Sequence, residues 1–233
     1  MFFSNSEVWG HRGWPSRYPD NTAAGIRAAA DVAAGVEVDV RRTADGRLLL
    51  SHDPTLGGKV VADAEWRDLA SVDLSGHRPT LLAEVLGVSV PLDLEVKNDP
   101  TEPDFDPSHR VARMVADQAR VGDIVTSFWW PSMDALTVTH ADVTTGLLCC
   151  DPIDPMDAIR HAVDVGHRLV APDHVQITPD VMEFAISEGI EVVAWTVDDP
   201  ADALRLADLG VAAIITNRPG ELIAESPRPR TDQ

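Results

Sequence analysis

Val36-Glu37-Val38-Asp39-Val40-Arg41 and Leu92-Asp93-Leu94-Glu95-Val96-Lys97 share one arrangement, with aliphatic and charged residues in strict alternation. Side chains alternate across a strand, so each run puts three aliphatics on one face and three ionisable groups on the other. On an edge strand the charged face would be solvated. Here helical stretches flank both runs, which predicts a parallel sheet covered by helices. In a barrel the aliphatic face packs under those helices, and the charged face points inward. Buried carboxylates without partners are costly. A bound cation offsets that cost, and hard divalent ions such as Ca²⁺ and Mg²⁺ take carboxylate oxygens. The two runs therefore predict a metal site inside an α/β barrel.

The rest of the chain alternates in the same way. Strands are expected at Val8–Gly10, Val36–Arg41, Val90–Lys97, Ile124–Phe128, Val143–Cys149, Arg168–Ala171, Glu191–Val197 and Ala212–Thr216. Helices are expected between them, over Thr22–Ala33, Ser108–Ala119, Pro131–Thr139, Pro155–Val165, Pro179–Ser187 and Pro200–Leu209. Most open near proline or a small polar residue, as helix starts do. Asn21 is the expected N-cap of the first helix, with Gly35 just past its end. Arg47–Ser51 follows the second strand too closely for a parallel crossover and predicts an antiparallel hairpin. The fold expected is a TIM-type (β/α)₈ barrel with an extra antiparallel hairpin strand after the second barrel strand. Residues 1–225 would form that one domain, and the polar, proline-bearing stretch 226–233 a loose tail.

Length and composition agree with this: 233 residues with 44% apolar content suit one barrel. No apolar run approaches the roughly 18 residues of a membrane span, and the start lacks a signal-peptide pattern. Its only cysteines, Cys149 and Cys150, are neighbours, so a reducing, cytoplasmic setting is expected. A net charge of -19 repels nucleic acid and anionic lipid. It also repels phosphate, so a phosphate site needs its own local cations. Lys59 and Lys97 are the only lysines among 19 basic residues, and Lys97 lies in phase with Glu95.

His11 ends the first strand within Trp9-Gly10-His11-Arg12-Gly13, and His52 ends the hairpin strand within Leu50-Ser51-His52-Asp53. The C-terminal ends of barrel strands are where catalytic groups sit. The remaining histidines, such as His77 and His140, lack such a setting and are expected on the surface or in loops.

His11-Arg12-Gly13 through Pro19-Asp20-Asn21-Thr22 resembles the opening motif of the glycerophosphodiester phosphodiesterase family. Glu37-Val38-Asp39-Val40, Thr43-Ala44-Asp45-Gly46 and His52-Asp53 resemble its next block. Pro79-Thr80-Leu81 with Glu84-Val85-Leu86 looks like the family's helix before the next strand. Leu94-Glu95-Val96-Lys97, Trp195-Thr196-Val197-Asp198 and Gly210…Ile214-Ile215-Thr216-Asn217-Arg218-Pro219 continue the match in order, from residue 9 to residue 219. There are departures. Asp20 replaces a glutamate, and Asp198 and Asn217 exchange acid and amide relative to the pattern; by motif match none of these is catalytic. An Arg-Thr-Thr stretch is missing after His52-Asp53-Pro54-Thr55-Leu56, and the acidic segment from Asp99 to Asp106 carries no motif.

The resemblance implies hydrolysis of glycerophosphodiesters to sn-glycerol 3-phosphate and an alcohol, with a small-molecule substrate and no nucleic acid or stable membrane insertion. By the same match Glu37, Asp39 and Glu95 hold one divalent cation, Ca²⁺ or Mg²⁺. Arg12 and Lys97 meet the phosphate, and His11 and His52 divide the general acid and base roles. The nucleophile is water or the substrate's neighbouring hydroxyl. Trp195 is a candidate wall for the glycerol carbons. The competing readings are a lysophospholipase D or cyclising phospholipase-like enzyme, and a barrel that binds a metal or phosphodiester without catalysis.

Overall fold

The computed structural model describes residues 6–225; the tail expected to be loose lies outside them. In chain order the elements begin with β1 (Glu7–Gly10), α1 (Ala23–Ala30), β2 (Gly35–Arg42), β3 (Leu48–Leu50), β4 (Thr55–Leu56), β5 (Lys59–Val60), α2 (Trp66–Leu69) and β6 (Thr80–Leu81). They continue with β7 (Leu92–Val96), α3 (Arg110–Ala116), β8 (Ile124–Ser127), α4 (Trp130–Thr139), β9 (Thr144–Cys149) and α5 (Pro155–Val165). The last are β10 (Leu169–Pro172), α6 (Pro179–Glu188), β11 (Glu191–Ala194), α7 (Pro200–Leu209), β12 (Ala213–Thr216) and α8 (Pro219–Glu225). Among the described residues no helix is long and apolar enough to cross a membrane.

Eight parallel strands close a barrel, because β1 pairs with β12 on one side and β2 on the other. The expected antiparallel strand is β3, paired to β2 with Val40 opposite Leu50. It is joined by β6, and together with the β4–β5 hairpin and α2 it replaces the helix that would link β2 to β7. In place of the family-like helix around Glu84, a single 3₁₀ turn runs Leu82–Glu84.

The alternation in β2 and β7 sets the layering. Val36, Val38, Val40, Leu92, Leu94 and Val96 are each at most 1% exposed, packed outward against the helices. Fully burying such a side chain contributes about 1.5–3 kcal/mol. A second apolar cluster, including Trp9, Leu148, Leu169, Val193 and Ile215, fills the barrel interior. The register sets Glu37 beside Asp93 and Asp39 beside Glu95, so four carboxylates share one inner patch.

Helix α1 differs from expectation. Thr22, not Asn21, is its N-cap: the Thr22 backbone is extended and its hydroxyl accepts from the Gly25 amide at 3.3 Å. The helix ends at Ala30, and Gly35 opens β2 rather than closing the helix.

Candidate active site

The turn after β1 reverses tightly. Arg12 and Asn21 both take left-handed backbone angles, φ 51° and 59°, and the Asn21 amide donates to the Arg12 carbonyl at 2.9 Å. Gly13 also has positive φ, and a side chain there would press on the backbone of Gly25 and Ile26 at 2.8 Å. This close seat on α1 turns the Arg12 amide inward, where it donates to Glu37 Oε2 at 2.7 Å. Asn21 is buried and brackets Asp39: its Nδ2 donates to Asp39 Oδ2 at 2.7 Å, and its Oδ1 accepts from the Asp39 amide at 3.1 Å.

Glu37, Asp39 and Glu95 each offer a carboxylate oxygen, all within 4.8 Å of one another. Among the described residues, two buried oxygens in this patch, Glu37 Oε1 and Asp39 Oδ1, have no hydrogen-bond partner, the second having only Lys97 Nζ nearby at 3.5 Å. The patch is short of positive charge. Burial pushes the pKa of Glu37 well up, and Asp39, Glu95 and Asp93 push it further. Burial also raises Glu95, against the pull of Lys97, and drives Asp93 to about 7. Asp39 is the exception: burial works against its charge, but Lys97, Arg12, the Asn21 hydrogen bond and His52 together hold its pKa down. Orphaned oxygens, an all-oxygen donor set and raised carboxyl pKa values fit a hard divalent cation.

Two cations sit beside this patch. Lys97 Nζ lies 2.7 Å from Glu95 Oε1 and 3.5 Å from Asp39 Oδ1. Burial opposes its charge, yet these carboxylates raise its pKa. Arg12 reaches Asp20 at 3.0 Å and brings Nε to 3.2 Å from Asp39 Oδ2.

His11 and His52 face the same space. His11 Nδ1 meets Asn217 Oδ1 at 2.8 Å, and its Nε2 lies 3.9 Å from Glu37 Oε2. Burial, and then Arg12, lower its pKa. His52 Nδ1 meets Asp53 Oδ1 at 2.8 Å. His52 comes beside the patch because β3 runs back along β2 until the Ser51 amide bonds the Asp39 carbonyl at 3.0 Å.

Neither the strand alternation nor the family motifs assign Arg41 or the acidic segment 99–106 a role. The structure joins them. The fully buried Arg41 guanidinium donates to Glu102 and Asp104 at 2.8 and 2.7 Å. It also donates to the His52 carbonyl, from Nε at 3.0 Å and from its second terminal nitrogen at 2.6 Å. Arg41 therefore clamps the segment that carries His52. The signal available in sequence was its phase: Arg41 continues the inward series Glu37, Asp39.

The two histidines, both cations and three of the four carboxylates, Glu37, Asp93 and Glu95, line one cavity of about 250 Å³ at the C-terminal mouth of the barrel. One side is charged: His11, Arg12, Glu37, His52, Glu95 and Lys97. The other is apolar: Phe128, Leu148, Trp195 and Ile215. The Trp195 indole N–H donates to the Ala171 carbonyl at 2.7 Å, and its ring meets Phe128 edge-on at 5.3 Å. Asp39 stands just behind the wall, fully buried. An open groove of about 630 Å³ at the opposite end, lined by Thr145, Arg168 and Glu191 among others, has no comparable acidic cluster among the described residues. Asp134, His161 and His167 gather between α4 and the end of α5. Their facing atoms are already bonded, with His161 and His167 Nε2 at 3.0 and 2.9 Å from Asp134 Oδ1. His167 lies in the loop after α5, as expected, but it is buried there, and its Nδ1 meets Thr145 Oγ1 at 2.8 Å.

Comparison with known proteins gives a consistent picture. The sequence model of the Glycerophosphoryl diester phosphodiesterase family matches residues 11–221. The chain is 28% identical to a glycerophosphodiester phosphodiesterase of Caldanaerobacter subterraneus subsp. tengcongensis, over 93% of this chain and 96% of that one. Its structure resembles a putative glycerophosphoryl diester phosphodiesterase from Silicibacter pomeroyi, with TM-score 0.81 and 25% identity, covering 94% and 92% of the two chains. It shares its fold with an Oleispira antarctica phosphodiesterase solved with the product sn-glycerol-3-phosphate, with TM-score 0.83 and 17% identity, covering 94% and 95%.

Proposed function

The chain belongs to the glycerophosphoryl diester phosphodiesterase family and hydrolyses glycerophosphodiesters, and on that footing we propose how the cavity divides the work. Glu37, Asp39 and Glu95 hold one divalent cation, Ca²⁺ or Mg²⁺. The observation that carries this reading is their convergence, with two buried oxygens that lack a hydrogen-bond partner, at and just behind the wall of a cavity flanked by two histidines. When bound, the ion supplies positive charge that stabilises the phosphodiester oxygens as the transition state forms.

The chain's own groups do the rest. Arg12 and Lys97 contact the phosphate, offsetting the repulsion that a net charge of -19 imposes. Phe128 and Trp195 exclude water on the apolar side and seat the glycerol carbons there. In hydrolysis a water oxygen bonds phosphorus and the bond from phosphorus to the leaving alcohol's oxygen breaks. One of His11 and His52 takes the proton from water, and the other protonates the departing alkoxide. Sn-glycerol 3-phosphate and a free alcohol result. The same phosphomonoester is bound by the Oleispira antarctica phosphodiesterase, which supports this direction of cleavage.

The test is a coupled assay of released glycerol 3-phosphate over a panel of glycerophosphodiesters, on chelator-stripped protein and after adding back Ca²⁺ or Mg²⁺. Release that stops on stripping and returns with metal is expected. Release unaffected by stripping, or none from any diester, overturns the reading.

A further inference from the structure

Two of this chain's departures from its family's motifs touch each other. Asp198 and Asn217 carry acid and amide in the reverse order to the pattern, and Asn217 Nδ2 donates to Asp198 Oδ2 at 2.7 Å. Asp198 is held from three sides, because Oδ1 also accepts from the Asn217 amide at 2.8 Å and from Thr216 Oγ1 at 2.9 Å. Burial opposes its ionisation, but these bonds keep its pKa low. Asp198 is therefore a carboxylate, which only accepts hydrogen bonds.

That fixes the Asn217 side chain. Its NH₂ must face Asp198, so its oxygen must face His11 Nδ1, at 2.8 Å. An amide oxygen cannot donate, so the proton of this contact sits on His11 Nδ1. In neutral imidazole the other nitrogen then carries the lone pair. That nitrogen, Nε2, is the one turned to the site, 3.9 Å from Glu37 Oε2. We propose that Asp198 and Asn217 are positioning residues that hold His11 as the Nδ1–H tautomer, with Nε2 presented to the phosphodiester. The proposal rests on the reading of His11 as catalytic.

The reversed order explains why both departures occur together. With an amide at 198 and a carboxylate at 217, every bond survives. The amide oxygen accepts from Thr216 Oγ1 and the 217 amide, its NH₂ donates to the carboxylate, and that carboxylate accepts from His11 Nδ1. Either change alone fails. Asn217→Asp sets two carboxylates against each other across the 2.7 Å contact. Asp198→Asn sets NH₂ against NH₂, and Asn217 relieves this by flipping, which turns a donor to His11 Nδ1 and moves the ring proton to Nε2.

The experiment uses the Mg²⁺-loaded native enzyme, Asp198→Asn, Asn217→Asp and the double exchange Asp198→Asn/Asn217→Asp. For each, kcat, KM, Tm and the protonated ring nitrogen of His11, by ¹⁵N NMR, are measured. The native enzyme is expected to show Nδ1–H. Asp198→Asn should shift the signature toward Nε2–H and lower kcat between about 10- and 10⁴-fold, as loss of the right tautomer does elsewhere, with KM little changed. The double exchange should restore Nδ1–H and recover most of the lost kcat. An Nε2–H signal in the native enzyme overturns the proposal even if the variants fail to fold. So does a folded Asp198→Asn with native kcat and tautomer, or a folded double exchange no better than the single changes. Full turnover by His11→Ala would instead remove the catalytic reading on which the proposal rests.

Discussion

Asp93→Asn tests the electrostatics of the carboxylate patch, because Asp93 belongs to the patch without being one of the three converging carboxylates of the proposed cation site. Its pKa rises from 3.8 to about 7, chiefly through burial, with Glu95 and Asp39 adding to the push against a hydrogen bond from Thr126. In the metal-free protein, folded and unfolded chains both carry the proton below pH 3.8. Between 3.8 and about 7 only the folded chain holds it, so unfolding releases a proton and rising pH favours unfolding. The penalty is complete above about pH 7. Asparagine has no proton to lose, and its Oδ1 still accepts from Thr126 Oγ1, which stands 2.7 Å from Asp93 Oδ1. The difference of 7 and 3.8, about 3 pKa units at 1.36 kcal/mol each, caps the gain at about 4 kcal/mol. Structural relaxation brings it lower. Urea melts of both stripped proteins from pH 4 to pH 8 measure it. Asp93→Asn should gain stability relative to the native chain as pH rises, then level off above pH 7. A stability difference independent of pH over that range refutes the reasoning. Saturating Mg²⁺ should shrink the difference, since a cation beside the patch favours the ionised carboxyl.

Three further outcomes follow. His11→Ala and His52→Ala should each lower turnover by roughly 10²–10⁴-fold while folding survives; near-native turnover in either folded variant removes that histidine from the mechanism. Lys97→Met should cost metal-free stability, since Glu95 loses its cation and Asp39 keeps only Arg12, but kcat/KM of the metal-loaded enzyme should fall further still, by roughly 10²–10³-fold. A large drop in Tm with unchanged kcat/KM would make Lys97 structural. Arg41→Met leaves Glu102 and Asp104 without their partner and should cost about 3–5 kcal/mol, with kcat reduced through the loosened His52; thermal melts and kinetics on one preparation check both.

What could be read from sequence was what local periodicity encodes. The alternation in Val36–Arg41 and Leu92–Lys97 was enough to place two barrel strands and turn their carboxylates inward, as the register of Glu37 with Asp93 and Asp39 with Glu95 bears out. Short spacing gave the antiparallel β3. What stayed hidden is long-range. Asn217 meets His11 from 206 positions away, and Arg41 meets Glu102 and Asp104 from 61 and 63. No local pattern marks such pairs, and an acidic, proline-bearing loop gives no hint of its partner. Asn21 departs from its expected capping role for a different reason. A small polar residue before a helix resembles a cap, but here the left-handed backbone turns Asn21 to Asp39 and leaves Thr22 to cap. Residues 55–81 form β4, β5, α2 and β6, elements too short for periodicity to register.

The mechanism turns on the proposal that Glu37, Asp39 and Glu95 hold one divalent cation that the reaction needs. Calorimetric titration of Mg²⁺ and Ca²⁺ into stripped native protein and stripped Asp39→Asn tests it, with glycerol 3-phosphate release followed on the same samples. Asp39 is the right position because it is fully buried and bracketed by Asn21, so asparagine keeps the shape while removing the charge. One ion per native chain, hydrolysis that rises with its occupancy, and loss of both in Asp39→Asn are expected. Equal binding by the two proteins, or full hydrolysis by native protein without a divalent ion, would contradict it.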